Sequence, residues 1–118
     1  MTRHRPGRAG RIRRSSEFRA VFESGLANTS GPLRLHAMKS THDRSRLGLA
    51  VSRRVGNAVR RNRIKRLLRV AFRMACDGWN PPLDVVIVVL PHDPKSLDDY
   101  SEHIEKAARN SFASGALR

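Results

Sequence analysis

One segment of the sequence concentrates side chains that bind phosphate. Residues 44–73 contain eleven basic residues and no acidic one. Arginine predominates, and its planar guanidinium group pairs with phosphate through two hydrogen bonds and stacks on exposed bases. If the segment after Gly56-Asn57 is wound as a helix, one side carries Ile64, Leu67, Leu68, Ala71 and Ala75, and the basic side chains spread over the opposite side. This pattern predicts binding to nucleic acid, without separating RNA from DNA.

A second surface with possible chemistry follows from the alternation over residues 46–53. Leu47, Leu49 and Val51 point to one side of the predicted strand. The other side carries only small residues: Gly48, Ala50 and Ser52. A strand face of small residues makes a poor core, but it allows the close approach of a ligand backbone.

The sequence offers little for catalysis by the protein itself. The five histidines stand in separate segments, with no pair at metal-ligand spacing, so no metal site is expected. The adjacent acids Asp98 and Asp99 are expected to interact with a helix N-terminus rather than with a metal. Cys76 has no matched base and is expected to be incidental. We therefore predict no catalytic residue.

Composition limits the class of protein. The chain has 118 residues, which fits one domain, and 24 basic against 10 acidic residues, a net charge of +14. Such an excess points to a polyanionic partner. The single cysteine suits a reducing compartment, and neither a membrane span nor a secretory signal is predicted, so a cytoplasmic location is expected. Residues 1–10 are predicted to be a disordered basic arm, and residues 11–118 a single RNA-binding domain.

The elements that would position these residues form a two-layer α/β sandwich. A short helix capped by Ser15 or Ser16 is predicted to end at Gly25, with Phe22 in the core and Phe18 either in the core or exposed. Strands are predicted over residues 33–39, 46–53 and 83–90, the last in the middle of the sheet. Residues 26–32 are weakly strand-like. Asn57 is predicted to cap the long helix, and Ser96 a final one.

The segment Gly56-Asn57-Ala58-Val59-Arg60-Arg61-Asn62-Arg63-Ile64-Lys65-Arg66 resembles the signature of the bacterial ribonuclease P protein subunit. Further matching segments are Phe18 and Phe22 before Gly25, residues 46–52 and residues 84–88. The similarity covers about residues 11–113.

The resemblance implies an α-β-β-β-α-β-α fold like that of the second domain of ribosomal protein S5, with a left-handed βαβ crossover through the long helix. It also implies a function: the family's protein partners a catalytic RNA, and together they remove the 5′ leader from precursor tRNA. The RNA and its Mg²⁺ ions would carry out the hydrolysis, with the protein alone inactive and with no organic cofactor. Neither a membrane nor DNA is an expected partner.

Carried over by position, two groups of residues acquire expected roles. Those expected to face the catalytic RNA are Arg60, Arg61, Asn62, Arg63, Lys65, Arg66, Arg69 and Arg73. Those expected to line the cleft for the leader are Phe18, Phe22, His36, Gly48, Ala50, Ser52, Arg53 and Arg54. Other family members often have an aromatic residue at the position of His36, whose imidazole offers less stacking area.

Two other functions remain open from the residues alone. A structural RNA-binding protein of the ribosomal type would have the same charge, but it would not need the small-residue strand face. A DNA-binding module is disfavoured because the sequence lacks a helix-turn-helix or zinc-finger pattern.

Overall fold

The structure is a computed structural model that describes residues 9–24 and 26–117. Its five strands are β1 (Gly10–Arg11), β2 (Ala27–Ser30), β3 (Leu33–Lys39), β4 (Arg46–Val51) and β5 (Leu83–Val89). Its helices are α1 (Ser15–Glu23), α2 (Ala58–Ala75) and α3 (Leu97–Ala113), with a 3₁₀ turn over Arg53–Val55. The predicted α-β-β-β-α-β-α order is confirmed, with the two-residue β1 as an addition at the start.

The five strands form one sheet in the order β1-β4-β5-β3-β2. The central strand β5 pairs in parallel with β4 and antiparallel with β3, so α2 is the crossover connection between β4 and β5. All residues of β5 except Val88 are buried, which confirms the predicted central strand covered on both faces.

Helices α2 and α3 cover one face of the sheet and enclose the main core. From α2 the core receives Ile64, Leu68, Ala71, Phe72 and Ala75. Phe72 was not part of the predicted apolar side, although it lies one turn beyond Leu68 on the same side of the helix. From α3 the large fully buried residues are Tyr100 and Ile104, and Leu97 and Phe112 pack against the core partly buried. Burying these apolar side chains removes them from water and is the main stabilisation of this layer.

Both long helices begin where their capping residues predict. The Asn57 side chain accepts a hydrogen bond from the backbone N–H of Arg60 at 2.9 Å. The Ser96 hydroxyl accepts one from the backbone N–H of Asp99 at 3.1 Å. Each cap satisfies a donor that the first helical turn leaves without an intrahelical acceptor.

The predicted start of α1 is wrong. The helix begins at Ser15 and neither serine caps it. Instead the Glu17 carboxylate accepts hydrogen bonds from the backbone N–H groups of Arg13 at 3.4 Å and Arg14 at 3.2 Å. A carboxylate in the first turn satisfies these donors and also interacts favourably with the helix dipole. Gly25, the predicted stop, lies outside the described residues.

The N-terminal segment makes contacts with the domain earlier in the chain than predicted. Residues 1–8 of the predicted arm lie outside the described residues, but Ala9 packs on the core and Gly10 pairs with Arg46 in β1. The edge of β4 offers free backbone hydrogen-bonding groups. Pairing of β1 with this edge holds the segment in place, although it has few apolar side chains to bury. The doubtful strand at residues 26–32 is present as β2, paired with β3.

Candidate nucleic-acid interface

A groove of about 680 Å³ runs between the N-terminal segment and α2. One wall is residues 9–13 and the other is the outer side of α2. The floor is apolar and includes Phe18, Leu47, Leu49 and Phe72. Among the residues that the structure describes, the walls carry no acidic side chain and six cationic ones: Arg11, Arg13, Lys65, Arg66, Arg69 and Arg73.

The groove unites parts of both predicted sites. Phe18 and Gly48, expected in the leader cleft, line it together with four of the residues expected to face the catalytic RNA. The other predicted residues lie elsewhere. Arg11 and Arg13 were missed, although their place in an arginine-rich N-terminal segment was a usable signal. Only the pairing of β1 with β4 places them opposite α2.

The remaining basic residues of α2 lie away from the groove. Arg60 approaches Asp93 at 4.0 Å. Burial raises the pKa of Tyr100 in α3, and the charge of Arg63 opposes that shift. Arg61 is half-buried, and its Nε donates to the carbonyl of Gly56 at 3.1 Å. The basic residues of α2 therefore occupy more than one surface, and Arg61 also holds the turn that precedes the helix. Asn62 is exposed on α2.

The sheet face opposite α2 and α3 is organised in rows across β3, β5 and β4. One row contains Met38, Asp84 and Arg46. The next row contains His36, Val86 and Gly48, and the row beyond it Arg34, Val88 and Ala50. Helix α1 covers the middle row, which leaves the Arg34 row partly open to solvent.

Phe18 occupies the space above Gly48. A Cβ atom at Gly48 would lie 2.7 Å from both Cε1 and Cζ of the Phe18 ring, closer than real contacts allow. The prediction that Gly48 admits a ligand backbone is therefore wrong, because the close neighbour is a side chain of the protein itself. Ala50 remains half-buried and Ser52 exposed, so the accessible part of the small-residue face begins after Gly48.

The exposure of Phe22 differs from the prediction. This side chain is 39% exposed, whereas the apolar spacing predicted a core residue. In the nine-residue α1, Val21 is the residue directed onto the sheet, and Phe22 lies at the rim. The Phe22 and His36 rings meet edge to face, 4.8 Å between centroids. Burial, and then the charge of Arg34, lowers the pKa of His36, which favours the neutral imidazole.

The row that contains Arg46 carries a network of charged side chains. Arg46 donates to both oxygens of Asp84, at 2.9 and 2.7 Å, and to Glu17 at 2.8 Å. The side chains of Arg46 and Asp84 are only 12% and 7% exposed. Arg46 is thus occupied within the protein, and the network fixes the first turn of α1 to β4 and β5.

The acid dependence of stability should reveal the link between Glu17 and Arg46. The hydrogen bond from Arg46, and then that from the backbone of Arg14, lowers the pKa of Glu17 from 4.5 to about 2. A group whose pKa is lower in the folded state stabilises that state above its unfolded pKa, and the effect disappears as the pH falls through the folded value. Urea unfolding should therefore show wild type more stable than Glu17→Gln above pH 4.5, with the difference vanishing near pH 2.

The matched control for that measurement is Glu23→Gln, which removes an exposed carboxylate from the other end of α1. Its stability difference from wild type should not follow the same pH course. A Glu17→Gln difference that stays constant from pH 6 to pH 2 would contradict the assigned ion pair.

Metal-binding clusters and membrane-spanning helices are both absent from the described part of the chain. Within residues 9–24 and 26–117, no three His, Cys, Asp or Glu side chains form a group that could hold a metal ion. None of the helices in those residues is long and apolar enough to cross a membrane. Burial raises the pKa of the Cys76 thiol to about 11, which keeps it protonated at neutral pH.

A sheet with two helices on one face, a short helix on the other and a cationic groove beside it defines a small α/β protein of the polyanion-binding class. The Ribonuclease P family model matches residues 7–112 of this chain. The chain belongs to the ribonuclease P protein family.

Individual relatives agree with this assignment. The chain is 41% identical over 106 residues to the ribonuclease P protein component of Shouchella clausii, covering 84% of this chain and 85% of that protein. The RNase P protein from Thermotoga maritima is 26% identical, with a TM-score of 0.61 over 90% of this chain and 94% of that one.

A further solved structure supports the fold alone. It is a Staphylococcus aureus RNase P protein mutant with defective mRNA degradation activity, 21% identical to this chain. The TM-score is 0.71, and the match covers 86% of this chain and 87% of that one.

Proposed function

We propose that this chain is the protein subunit of a ribonuclease P ribonucleoprotein in the cytoplasm. It binds the catalytic RNA through α2 and the groove, and it holds the 5′ leader of precursor tRNA along the open row of the sheet. Family membership, with 41% identity to a ribonuclease P protein component, supports the assignment most directly. The charge of +14 lowers the repulsion between two RNA molecules that must meet.

The open row supports a leader site more than a purely structural role. Val88 and Ala50 are half-buried neighbours in register. His36 lies in the adjacent row, and the exposed Phe22 ring packs against it. A half-buried strip next to an exposed aromatic ring suits single-stranded RNA, whose unstacked bases can contact both. Arg34 and Val88 join the predicted residues of this site, and Ser52, Arg53 and Arg54 extend it as exposed residues at the end of β4.

The chemistry is assigned to the RNA. Mg²⁺ ions held mainly by the catalytic RNA would activate water and stabilise the charge that develops on the scissile phosphate. The described residues of this chain include no cluster of carboxylates or imidazoles suited to a protein-held ion. The protein's part is then to bind and orient the two RNAs.

The test is to mix the purified chain with a ribonuclease P RNA and labelled precursor tRNA at low Mg²⁺. Addition of the chain should stimulate correct 5′ cleavage, whereas a polylysine of equal charge should not. Carefully RNA-free protein should cleave nothing. Absence of stimulation, or cleavage by the protein alone at the same site, would overturn the proposal.

A further inference from the structure

The N-terminal segment, residues 9–13, forms one wall of the groove. From the sequence, no binding role was predicted for the arginines of this segment. Arg11 lies in β1, and Arg13 lies in the link between β1 and α1. Both face the groove across from α2, because β1 pairs with β4 at Gly10–Arg46 and Arg11–Leu47. The segment therefore converts the outer side of α2 from an open convex surface into one side of a channel.

The cations of this channel lie close together without an acidic residue among the described residues that line it. Arg69 is half-buried, and burial, followed by the nearby charge of Arg11, lowers its pKa. Within residues 9–24 and 26–117, no ion pair joins any of the six lining cations to an acid. Arg46 shows the contrast, because it is held by Asp84 and Glu17. Cations that converge from two walls repel one another until an anion enters between them.

The shape and chemistry of the channel fit a single strand of RNA. The walls carry guanidinium groups, which pair with successive phosphates, while the floor offers the Phe18 ring and aliphatic side chains to bases or sugars. A channel about as large as a small-molecule pocket has no room for a duplex, whose bases are also stacked away from such a floor.

We propose that the groove between residues 9–13 and α2 is a channel for single-stranded RNA, in which Arg11 and Arg13 grip the backbone opposite Lys65, Arg66, Arg69 and Arg73. The inference rests on the proposed function in that it takes RNA as the partner. It goes further by specifying that the RNA in the groove is single-stranded and by adding Arg11 and Arg13 to the binding residues. An acidic peptide is the competing occupant.

The experiment compares two double variants that remove the same charge. Arg11→Gln with Arg13→Gln removes the second wall. Arg14→Gln with Arg19→Gln is the control, because both arginines are exposed in the same part of the chain and neither lines the groove. The probe is a fluorescein-labelled, unstructured eight-nucleotide RNA, titrated with full-length protein at several KCl concentrations. Thermal melts of all three proteins check that they fold.

The first double variant should bind the probe more weakly, and its log–log salt slope should be shallower by about 1.4, which corresponds to two lost contacts on a single strand. The control should keep the wild-type slope. Equal slopes for the two variants would overturn the proposal, as would a glutamate-rich peptide that binds wild type as tightly as the RNA does. A blunt RNA duplex that shows the same Arg11 and Arg13 dependence would overturn the single-strand assignment.

The two proposals fail in different ways. If the chain stimulates precursor cleavage but the two double variants bind the probe equally, the channel is wrong and the subunit function stands. If the wild-type chain does not stimulate cleavage but binds the probe with the expected dependence on Arg11 and Arg13, the subunit function is wrong and the channel stands.

Discussion

Asp84→Ala is expected to lower the free energy of unfolding by about 3 kcal/mol, because removing one partner of a buried ion pair leaves the other charge uncompensated. Arg46 is 12% exposed and would keep only Glu17, whose side chain is 29% exposed. The lost carboxylate accepts two hydrogen bonds from one guanidinium group, which is the strong bidentate geometry. Urea unfolding at neutral pH measures the difference.

The control for this experiment removes both buried charges. Arg46→Met combined with Asp84→Leu fills a similar volume without a buried ion, so the double variant should be more stable than Asp84→Ala. Asp43→Ala serves as the surface comparison, since its partner Arg44 is exposed and such pairs contribute less than about 1 kcal/mol. If Asp84→Ala and Asp43→Ala have similar effects, the network is not the anchor of α1.

Ala50→Trp should abolish most of the holoenzyme's preference for precursor tRNA over mature tRNA. The indole would lie on the open row beside Val88, where the leader is proposed to pass, while α2 and the groove keep their wild-type residues. Loss of one stacked base corresponds to about 1–3 kcal/mol, or roughly 5- to 150-fold in the affinity ratio. The measurement is the dissociation constant of each tRNA at one fixed salt and Mg²⁺ concentration.

Ala113→Trp is the matched control, because it makes the same substitution at an exposed position at the end of α3, in the layer on the other side of the sheet. It should leave the tRNA ratio and binding of the catalytic RNA unchanged. Ala50→Trp should also bind the catalytic RNA normally. A folded Ala50→Trp holoenzyme with the wild-type tRNA ratio would show that the leader does not cross this row.

Local sequence was sufficient for the elements whose signals are strong and short-range. Asn57 and Ser96 fix the starts of α2 and α3 because their side chains satisfy backbone donors three residues away. The apolar run in β5 predicted a central strand because a strand buried on both faces cannot alternate. The basic character of α2, and with it a polyanionic partner, also followed from the sequence, since no acid lies within residues 44–73.

The misassigned residues are those whose surroundings come from distant parts of the chain. Gly48 was interpreted as open to a ligand, but Phe18, thirty positions earlier, fills the space above it. Phe22 has the spacing of a core residue, yet α1 is short and covers one row of the sheet, so this side chain remains at the rim. Arg46 belongs to the basic segment by sequence, but its guanidinium group is engaged by Asp84 and Glu17 within the protein.

The sequence by itself thus determined the helices, the central strands and the sign of the partner's charge, because capping, periodicity and net charge depend on neighbouring residues or on composition. Only the tertiary structure decided which cations lie together. Pairing of β1 with β4 brings Arg11 and Arg13 opposite Arg69 and Arg73, more than fifty residues further along the chain. Sequence periodicity carries no information about this meeting of distant cations, because sheet pairing and the packing of α2 on the sheet bring the cations together.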